Sequence, residues 1–406
     1  MAIKIRSGDE AAYGRQLALK SSVERSEQAL AFDPSRAADP QLFVEGEEFY
    51  PPMLDDLRRA ESSIHIIQFG IRPGSVADRL TKILIDRAVA GVPVRMIVDS
   101  RGSRPDFESS KLFDRLSESG VEVFVNRPFA PRVSYGPLGS PRGSRWNVAN
   151  LLAVDHRKVI VIDGRICWLG TAGIEDRFLD GRHHDLFVRL EGPVLHQFQA
   201  VFLASYRWHG GELPVDEVST LFPDPPGGDC MVPAMVLHNA PGKFRPIARG
   251  IVDLISSSRR SLDIMNPYVA DPGMFRLMID AAERGVRVRL IVPPLQSTLS
   301  TGYARLYHYA ELIDAGVEVW TYPTVAHAKA FVSDGENVLV GSCNLETWSL
   351  RRFFEIDVSI RSPDLADQFR SKLFEPDIVV STPARPAKGI RERVLSTAFY
   401  LVSPLL

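Results

Sequence analysis

Cysteine is scarce: Cys167, Cys230 and Cys343 are the only three in 406 residues, an odd number with no C-x-x-C spacing. That argues against a disulfide framework and against a thiolate zinc site, and leaves the thiols as small buried hydrophobes. Long apolar runs are lacking too. No stretch approaches the ~18 uninterrupted apolar residues that cross a bilayer. Met1 to Ser7 lack the apolar core of a signal peptide, so the reading is a cytoplasmic chain. Neither sign of charge dominates, since 48 basic and 50 acidic residues give a formal net charge of -2. Lysine is nevertheless rare: 9 of the 48 are Lys, which leaves 39 Arg. Such balance speaks against nucleic acid as a partner, because that affinity comes mostly from cations laid against phosphates. With 45% apolar and 24% charged residues, the composition is that of a globular chain of two domains or one large one.

What is present is order on a long scale. Residues 1–41 read as a polar extension with a helix near Ala11 to Leu30. From Leu42, amphipathic helices (Phe49, Met53, Leu54, Leu57; then Leu80, Ile83, Leu84, Ala88) alternate with strands (Ile64 to Ile67; Val94 to Val98). That alternation predicts an α/β fold with largely parallel strands. The pattern then returns. Ser63-Ile64-His65-Ile66 is echoed by Ser261-Leu262-Asp263-Ile264, and Gly91 to Val98 by Gly285 to Val292, at offsets of 198 and 194. Two copies of one unit follow, at 42–212 and 231–380, joined by a Pro- and Gly-rich linker at 213–230 and followed by a tail at 381–406.

Inside each copy lies one constellation with chemistry in it. His156, Lys158, Asp163, Gly170 and Thr171 recur as His327, Lys329, Asp334, Gly341 and Ser342, every member displaced by 171. On an extended segment, His and Lys two apart project from one face and present an imidazole beside an ammonium. Asp163-Gly164 and Asp334-Gly335 are hairpin turn signals, and the glycines that follow let backbone approach closely. Thr171, Ser342 and Asn344 are expected to donate to an anion. Asp185 and Glu355 are expected to accept from the second nitrogen of an imidazole, fixing its tautomer. Two such pairs can supply a nucleophile, a proton carrier and cations that neutralise an anionic substrate.

At these residues the chain resembles the phospholipase D superfamily, whose signature is two H-x-K-x4-D motifs, and within it bacterial cardiolipin synthases. The likeness extends over about residues 42–406, through Val44-Glu45-Gly46, Asp155-His156-Arg157-Lys158, Val188 to Val194, Pro267-Tyr268 and Ser403 to Leu406. It implies two similar α/β/α lobes related by a pseudo-twofold axis, the active site at their interface, no cofactor and no metal. It also implies catalytic roles for His156, Lys158, Asp163, His327, Lys329 and Asp334, with His156 favoured as nucleophile. The expected reaction condenses two phosphatidylglycerol molecules into cardiolipin and glycerol. A hydrolytic phospholipase D giving phosphatidic acid, a nucleic-acid phosphodiesterase and a noncatalytic lipid-binding relic stay open as alternatives. The expected partner is a phospholipid met peripherally on the inner face of the cell membrane; oligomeric state is left unassigned. One departure stands out: Gly173 occupies the position of Asn344 in the first copy, which removes a donor.

Three further features invite expectations. An insertion between Asn126 and His156, with Arg127, Arg132, Arg142, Arg145, Tyr135 and Trp146, reads as a lid over lipid headgroups. The tail helix Ile390 to Val402 places Ile390, Val394, Leu395, Ala398, Leu401 and Val402 on one face, suited to a membrane interface or to docking on its own domain. His183-His184-Asp185 could suggest metal ligands, but neighbours on an extended segment face opposite ways.

Overall fold

The computed structural model describes residues 3–5, 30–103, 107–126, 133–135, 153–225, 231–241 and 245–403. The helix expected near Ala11 to Leu30 and most of the expected lid lie outside them. In the first lobe the strands are β1 (Ser35–Val44), β2 (Ile64–Gln68), β3 (Val94–Asp99), β4 (Glu122–Asn126), β5 (Val133–Tyr135), β6 (Lys158–Ile162), β7 (Ile166–Gly170) and β8 (Leu186–Glu191). The second lobe has β9 (Met231–Asn239), β10 (Ser261–Met265), β11 (Arg287–Val292), β12 (Glu318–Thr321), β13 (Ala330–Ser333), β14 (Asn337–Gly341), β15 (Glu355–Arg361) and β16 (Thr382–Pro383).

All sixteen form one sheet in the order β16-β12-β11-β10-β13-β14-β15-β9-β1-β8-β7-β6-β2-β3-β4-β5. Read outward from the β9-β1 seam, the two halves match strand for strand, which is the pseudo-twofold relation the repeats imply. The two lobes are thus one continuous sheet, joined where Met231–Ala234 pair antiparallel with Ser35–Ala38. β1 therefore begins upstream of Leu42, inside the segment read as a polar extension, and forms the middle of the molecule. The expectation of largely parallel strands needs correction. Only β2-β3-β4 and β10-β11-β12 run parallel, while the strands between them and the seam are antiparallel. Hairpins and a central antiparallel block leave no helical periodicity for a sequence reader to count.

Helices cover the sheet. In the first lobe α1 (Gly46–Arg58), α2 (Ser75–Val89) and α3 (Phe107–Glu118) bury apolar faces that include Phe49, Met53, Leu80, Leu84 and Leu116. α4 (Leu195–Trp208) is buried nearly all round and touches β2, β6 and β7 of its own lobe and β9 of the other. The second lobe repeats the first three with α5 (Pro246–Ser257), α6 (Pro272–Glu283) and α7 (Leu299–Asp314). A short α8 (Thr347–Arg351) precedes β15. Over its described residues the linker is not free. It forms a helix at Val215–Thr220 and buries Leu213, Val218, Leu221 and Phe222 in the core.

The tail helix α9 (Gly389–Val402) lies on α7 through two stacked aromatic pairs, Tyr303 with Phe399 at 5.6 Å and Tyr307 with Tyr400 at 4.2 Å. The apolar stripe read from the sequence is not the docking face. Ile390, Val394 and Leu401 point outward at 83%, 61% and 70% exposure.

Candidate active site

The two H-x-K segments enter the sheet as neighbours of the other lobe. His156 N–H donates to Phe354 O at 3.0 Å, and Phe354 N–H donates to Val154 O at 2.9 Å. His327 N–H donates to His184 O at 2.8 Å, while His183 and His184 pair in parallel with Val325 and Ala326. Each histidine is thereby set beside the residue just before the opposite lobe's carboxylate. Consequently the carboxylates cross over. His156 Nδ1 lies 3.0 Å from Glu355 Oε1, and His327 Nδ1 lies 2.8 Å from Asp185 Oδ1. With Nδ1 engaged in both rings, Nε2 is the nitrogen left to react.

The lysines stand within the same cluster. Lys329 Nζ donates to His327 O at 2.6 Å and sits 3.1 Å from His327 Nε2; Lys158 Nζ donates to His156 O and lies 5.0 Å over the Phe69 ring. Phe69 packs edge-on against His156 at 4.7 Å, and Tyr268 edge-on against His327 at 6.3 Å. All four motif cations and imidazoles are buried or nearly so, with Lys158 and Lys329 each 1% exposed.

Burial and mutual repulsion set the charges. Burial pulls Lys158 down to about 8 against its carboxylate neighbours, and burial with Lys158 nearby pulls Lys329 to about 7. His327 falls to about 3 through burial and the lysines, against Asp185; His156 falls well below its ordinary value through burial, Lys158 and Lys329. Both rings are therefore neutral near pH 7. The carboxylates differ. Burial raises Asp185, but His327 and Lys329 outweigh it and hold the group below the usual carboxylate range. Glu355 is pushed up to about 8 by burial despite Lys158 and the Ser342 hydroxyl. Although His156 and Glu355 are at salt-bridge distance, the contact is therefore a neutral imidazole N–H donating to a largely neutral carboxyl, whereas His327 faces a formed anion.

Two groups of expected site residues lie elsewhere. Asp163 and Asp334 are at the far ends of β6 and β13, five residues past each lysine and roughly 16 Å away at the rise of a strand. They do not touch the site. Asp163 has φ 55 and Gly164 φ 64, a type I′ hairpin, and its Oδ1 accepts from Ser62 N–H at 2.7 Å and Ser63 N–H at 2.9 Å. Asp334 does the same for Arg260 at 2.7 Å and Ser261 at 3.1 Å. Their part is to pin the turn before the neighbouring strand. Thr171 and Ser342 are also committed within the protein. Ser342 Oγ donates to Glu355 Oε2 at 2.5 Å, and Thr171 Oγ1 accepts from Leu186 N–H at 3.0 Å, so both position the orienting strands instead of facing an anion. Asn344 differs: its buried Oδ1 has no partner among the described residues.

Gly173 has a physical reason. A Cβ there would meet Glu175 Oε1 at 2.9 Å and Gly70 O at 3.0 Å, so an asparagine in the first half-site would have to push the Glu175 side chain aside and shift the Gly70 carbonyl.

His184 is a residue the sequence reading missed. Its Nε2 lies 2.8 Å from Asp377 Oδ2, its Nδ1 engages Glu45, and its ring stacks on Tyr322 at 4.7 Å. Burial lowers its affinity for a proton, but the two carboxylates win and raise it to about 10, so it stays an imidazolium that ties the start of α1 to the second lobe. In the sequence only the His183-His184-Asp185 run, weighed as metal ligands, marked it. Asp99, by contrast, acts as a cap: it accepts from Arg101 N–H at 2.8 Å and from Asp155 N–H at 2.8 Å, holding the approach to His156.

A model of the family described as "Cardiolipin synthase, PLD-like domain" matches residues 53–206 and 251–376. Curated relatives include "Probable cardiolipin synthase YwiE" of Bacillus subtilis (strain 168), 26% identical over 377 residues that make up 90% of this chain and 72% of the relative. "Major cardiolipin synthase ClsA" of the same organism is 27% identical over 378 residues, 90% of this chain and 75% of the relative. Among solved structures, the phosphatidylserine synthase of Haemophilus influenzae Rd KW20 matches with a TM-score of 0.66 at 13% identity, over 98% of this chain and 100% of that one, a likeness of fold.

Proposed function

The chain belongs to the PLD-like cardiolipin synthase family, and on that premise we propose that it is a phosphatidyltransferase joining two phosphatidylglycerol molecules into cardiolipin and glycerol. The observation that carries the reading is the crossed pair of imidazoles, each with Nδ1 held by the opposite lobe's carboxylate and each within the field of both lysines.

His156 is the nucleophile in this reading and His327 the proton carrier. A bound phosphodiester anion lifts the imidazoles back toward protonation, and the formed charge on Asp185 directs that proton to His327. His156 stays neutral beside the largely neutral Glu355 carboxyl. Its Nε2 attacks phosphorus, the P–O bond to glycerol breaks, and His327 gives its proton to the departing oxygen. A hydroxyl of the second phosphatidylglycerol then passes its proton to His327 and attacks phosphorus, and the P–N bond breaks to restore His156. Lys158 and Lys329 balance the charge of both transition states. Asn344 is assigned to donate to a phosphate oxygen through its Nδ2 amide; its buried Oδ1, without a partner among the described residues, can only accept and would take a substrate hydroxyl.

Membrane contact is part of the same proposal. No described helix is long and apolar enough to cross a bilayer. The outward Ile390, Val394 and Leu401 of α9 suit an interfacial contact with the inner face of the membrane.

Incubation with phosphatidylglycerol vesicles in chelator, with products identified, tests the reaction. Cardiolipin with released glycerol is expected; phosphatidic acid would make the chain a hydrolase, and cleavage of single-stranded DNA alone would overturn the lipid reading. A phosphodiester with a nitrophenol leaving group separates the histidines: His327→Asn should still release about one equivalent of nitrophenol, and His156→Asn none.

A further inference from the structure

Cardiolipin formation places an unusual demand on the second substrate. An accepting phosphatidylglycerol brings its own phosphodiester, which sits about 6 Å from the attacking hydroxyl, across the glycerol carbons at standard bond lengths. Lys158 and Lys329 are occupied by the phosphorus under attack. A second anion must therefore be held about one headgroup away from His156, or water competes on equal terms.

A cationic cluster is linked to His156 through two aromatic rings on the second lobe. Phe353 packs against the His156 ring at 6.3 Å, Trp348 against Phe353 at 6.2 Å, and the Arg352 guanidinium lies 5.3 Å over the Trp348 ring. Arg351 and Arg352 close α8, the helix whose Ser349 hydroxyl donates to Glu355, so they are built onto the support of the catalytic histidine. Arg245 is the N-cap of α5. Asn239 ties the two helices, accepting from Ile247 N–H at 3.2 Å and donating to Leu350 O at 3.5 Å. Charge is unbalanced here. Arg351 reaches Asp271 at 3.2 Å, while Arg245 Nε is buried with no partner among the described residues. Burial, with Arg351 and Arg352 nearby, holds the Arg245 guanidinium below its ordinary value, and the Asp271 carboxylate at the cluster is taken by Arg351.

We propose that Arg245, Arg351 and Arg352, beside Trp348, bind the phosphate of the accepting phospholipid and so select an anionic glycerophospholipid over water or a neutral alcohol. Arginine suits the task, since its planar fork meets phosphate oxygens in pairs and stays charged when partly desolvated. The proposal rests on the phosphatidyltransferase reading above.

The test compares two acceptors in the same phosphatidylglycerol vesicles. Incorporation of labelled glycerol into phosphatidylglycerol reports transfer to a neutral alcohol; cardiolipin formation reports transfer to an anionic lipid. For Arg245→Gln, Arg352→Gln and the double variant, the ratio of cardiolipin formation to glycerol exchange should fall, by about tenfold or more in the double variant. Arg352→Lys should recover part of the loss. A ratio unchanged in the double variant overturns the proposal, as does a loss of vesicle sedimentation by the same factor, which would make the cluster a general membrane contact. If the parent exchanges glycerol yet forms no cardiolipin, transfer chemistry stands and the acceptor site falls. If the parent does neither, the underlying reading fails instead.

Discussion

Replacing Lys329 with Met should stabilise the empty enzyme while abolishing its activity. Burial, reinforced by Lys158 and opposed by Asp185, takes the Lys329 ammonium from 10.5 to about 7. At about 1.36 kcal/mol per pKa unit, keeping it charged in the folded chain costs about 5 kcal/mol at or below pH 7. That figure already contains the attraction of Asp185, so what Met forfeits is the hydrogen bond to the His327 carbonyl, about 3 kcal/mol at most, and a net gain of about 2 kcal/mol is expected. The sign follows from linkage. The unfolded lysine titrates near 10.5 and the folded one near 7, so in that window the unfolded chain binds more protons and the parent gains stability as pH rises. The variant has no such gain. Its advantage should be greatest below about pH 7 and should be lost at about pH 9.5, where the penalty on the parent has fallen by about 3 kcal/mol. Urea unfolding of both proteins at about pH 6.5 and about pH 9.5 measures this. Inorganic phosphate provides a second arm, raising the midpoint of the parent and leaving that of the variant nearly unmoved. A variant less stable than the parent at both pH values, or an advantage that ignores pH, refutes the idea that the site holds unbalanced positive charge in readiness for a phosphodiester.

Three other outcomes are expected. Asp185→Asn removes a formed carboxylate and should lower kcat/KM about 100-fold at pH 7, whereas Glu355→Gln replaces a carboxyl that titrates at about 8 and should cost about tenfold there, its deficit growing as pH rises through 8; pH-rate profiles of both variants check the contrast. His184→Gln strands the buried Asp377 carboxylate and should destabilise the fold by about 3 kcal/mol, with Asp377→Asn restoring part of it in the double variant, read by thermal unfolding. Gly173→Asn, which by sequence symmetry looks like a repair of the first half-site, should instead destabilise by about 1–3 kcal/mol because its Cβ meets Glu175 and the Gly70 carbonyl; a variant of parental melting temperature would show that the pocket yields.

The repeats and the doubled H-x-K spacing were enough to reach the lobes, the pairing of imidazole with ammonium, and the carboxylates at Asp185 and Glu355. Periodicity carries such information because a two-residue interval has a fixed meaning on a strand. It carries nothing across the seam. That β1 starts at Ser35 and that each carboxylate serves the opposite histidine depend on pairings of residues some 140 to 200 positions apart, which no local pattern encodes. The motif aspartates show the complementary failure. Asp163 and Asp334 recur as faithfully as the histidines, yet they recur because a hairpin with positive φ needs a short side chain to hold the next turn. Recurrence alone does not separate chemistry from scaffolding. The tail left a choice open: helical spacing marked Ile390, Val394 and Leu401 as a face for a membrane or for docking, and the stacking of Phe399 and Tyr400 on α7 leaves that face outward.

The crossed carboxylates bear on how such a duplicated chain is free to diverge. Each half lends the other its orienting group, so a half expressed alone would carry a histidine with no fixed tautomer and an unpaired seam strand ready to join a stranger. Change is safe only where it stays within one half. Gly173 against Asn344 is a difference of that kind, answered locally by Glu175, whereas drift in Asp185 or Glu355 is felt by machinery encoded elsewhere in the gene.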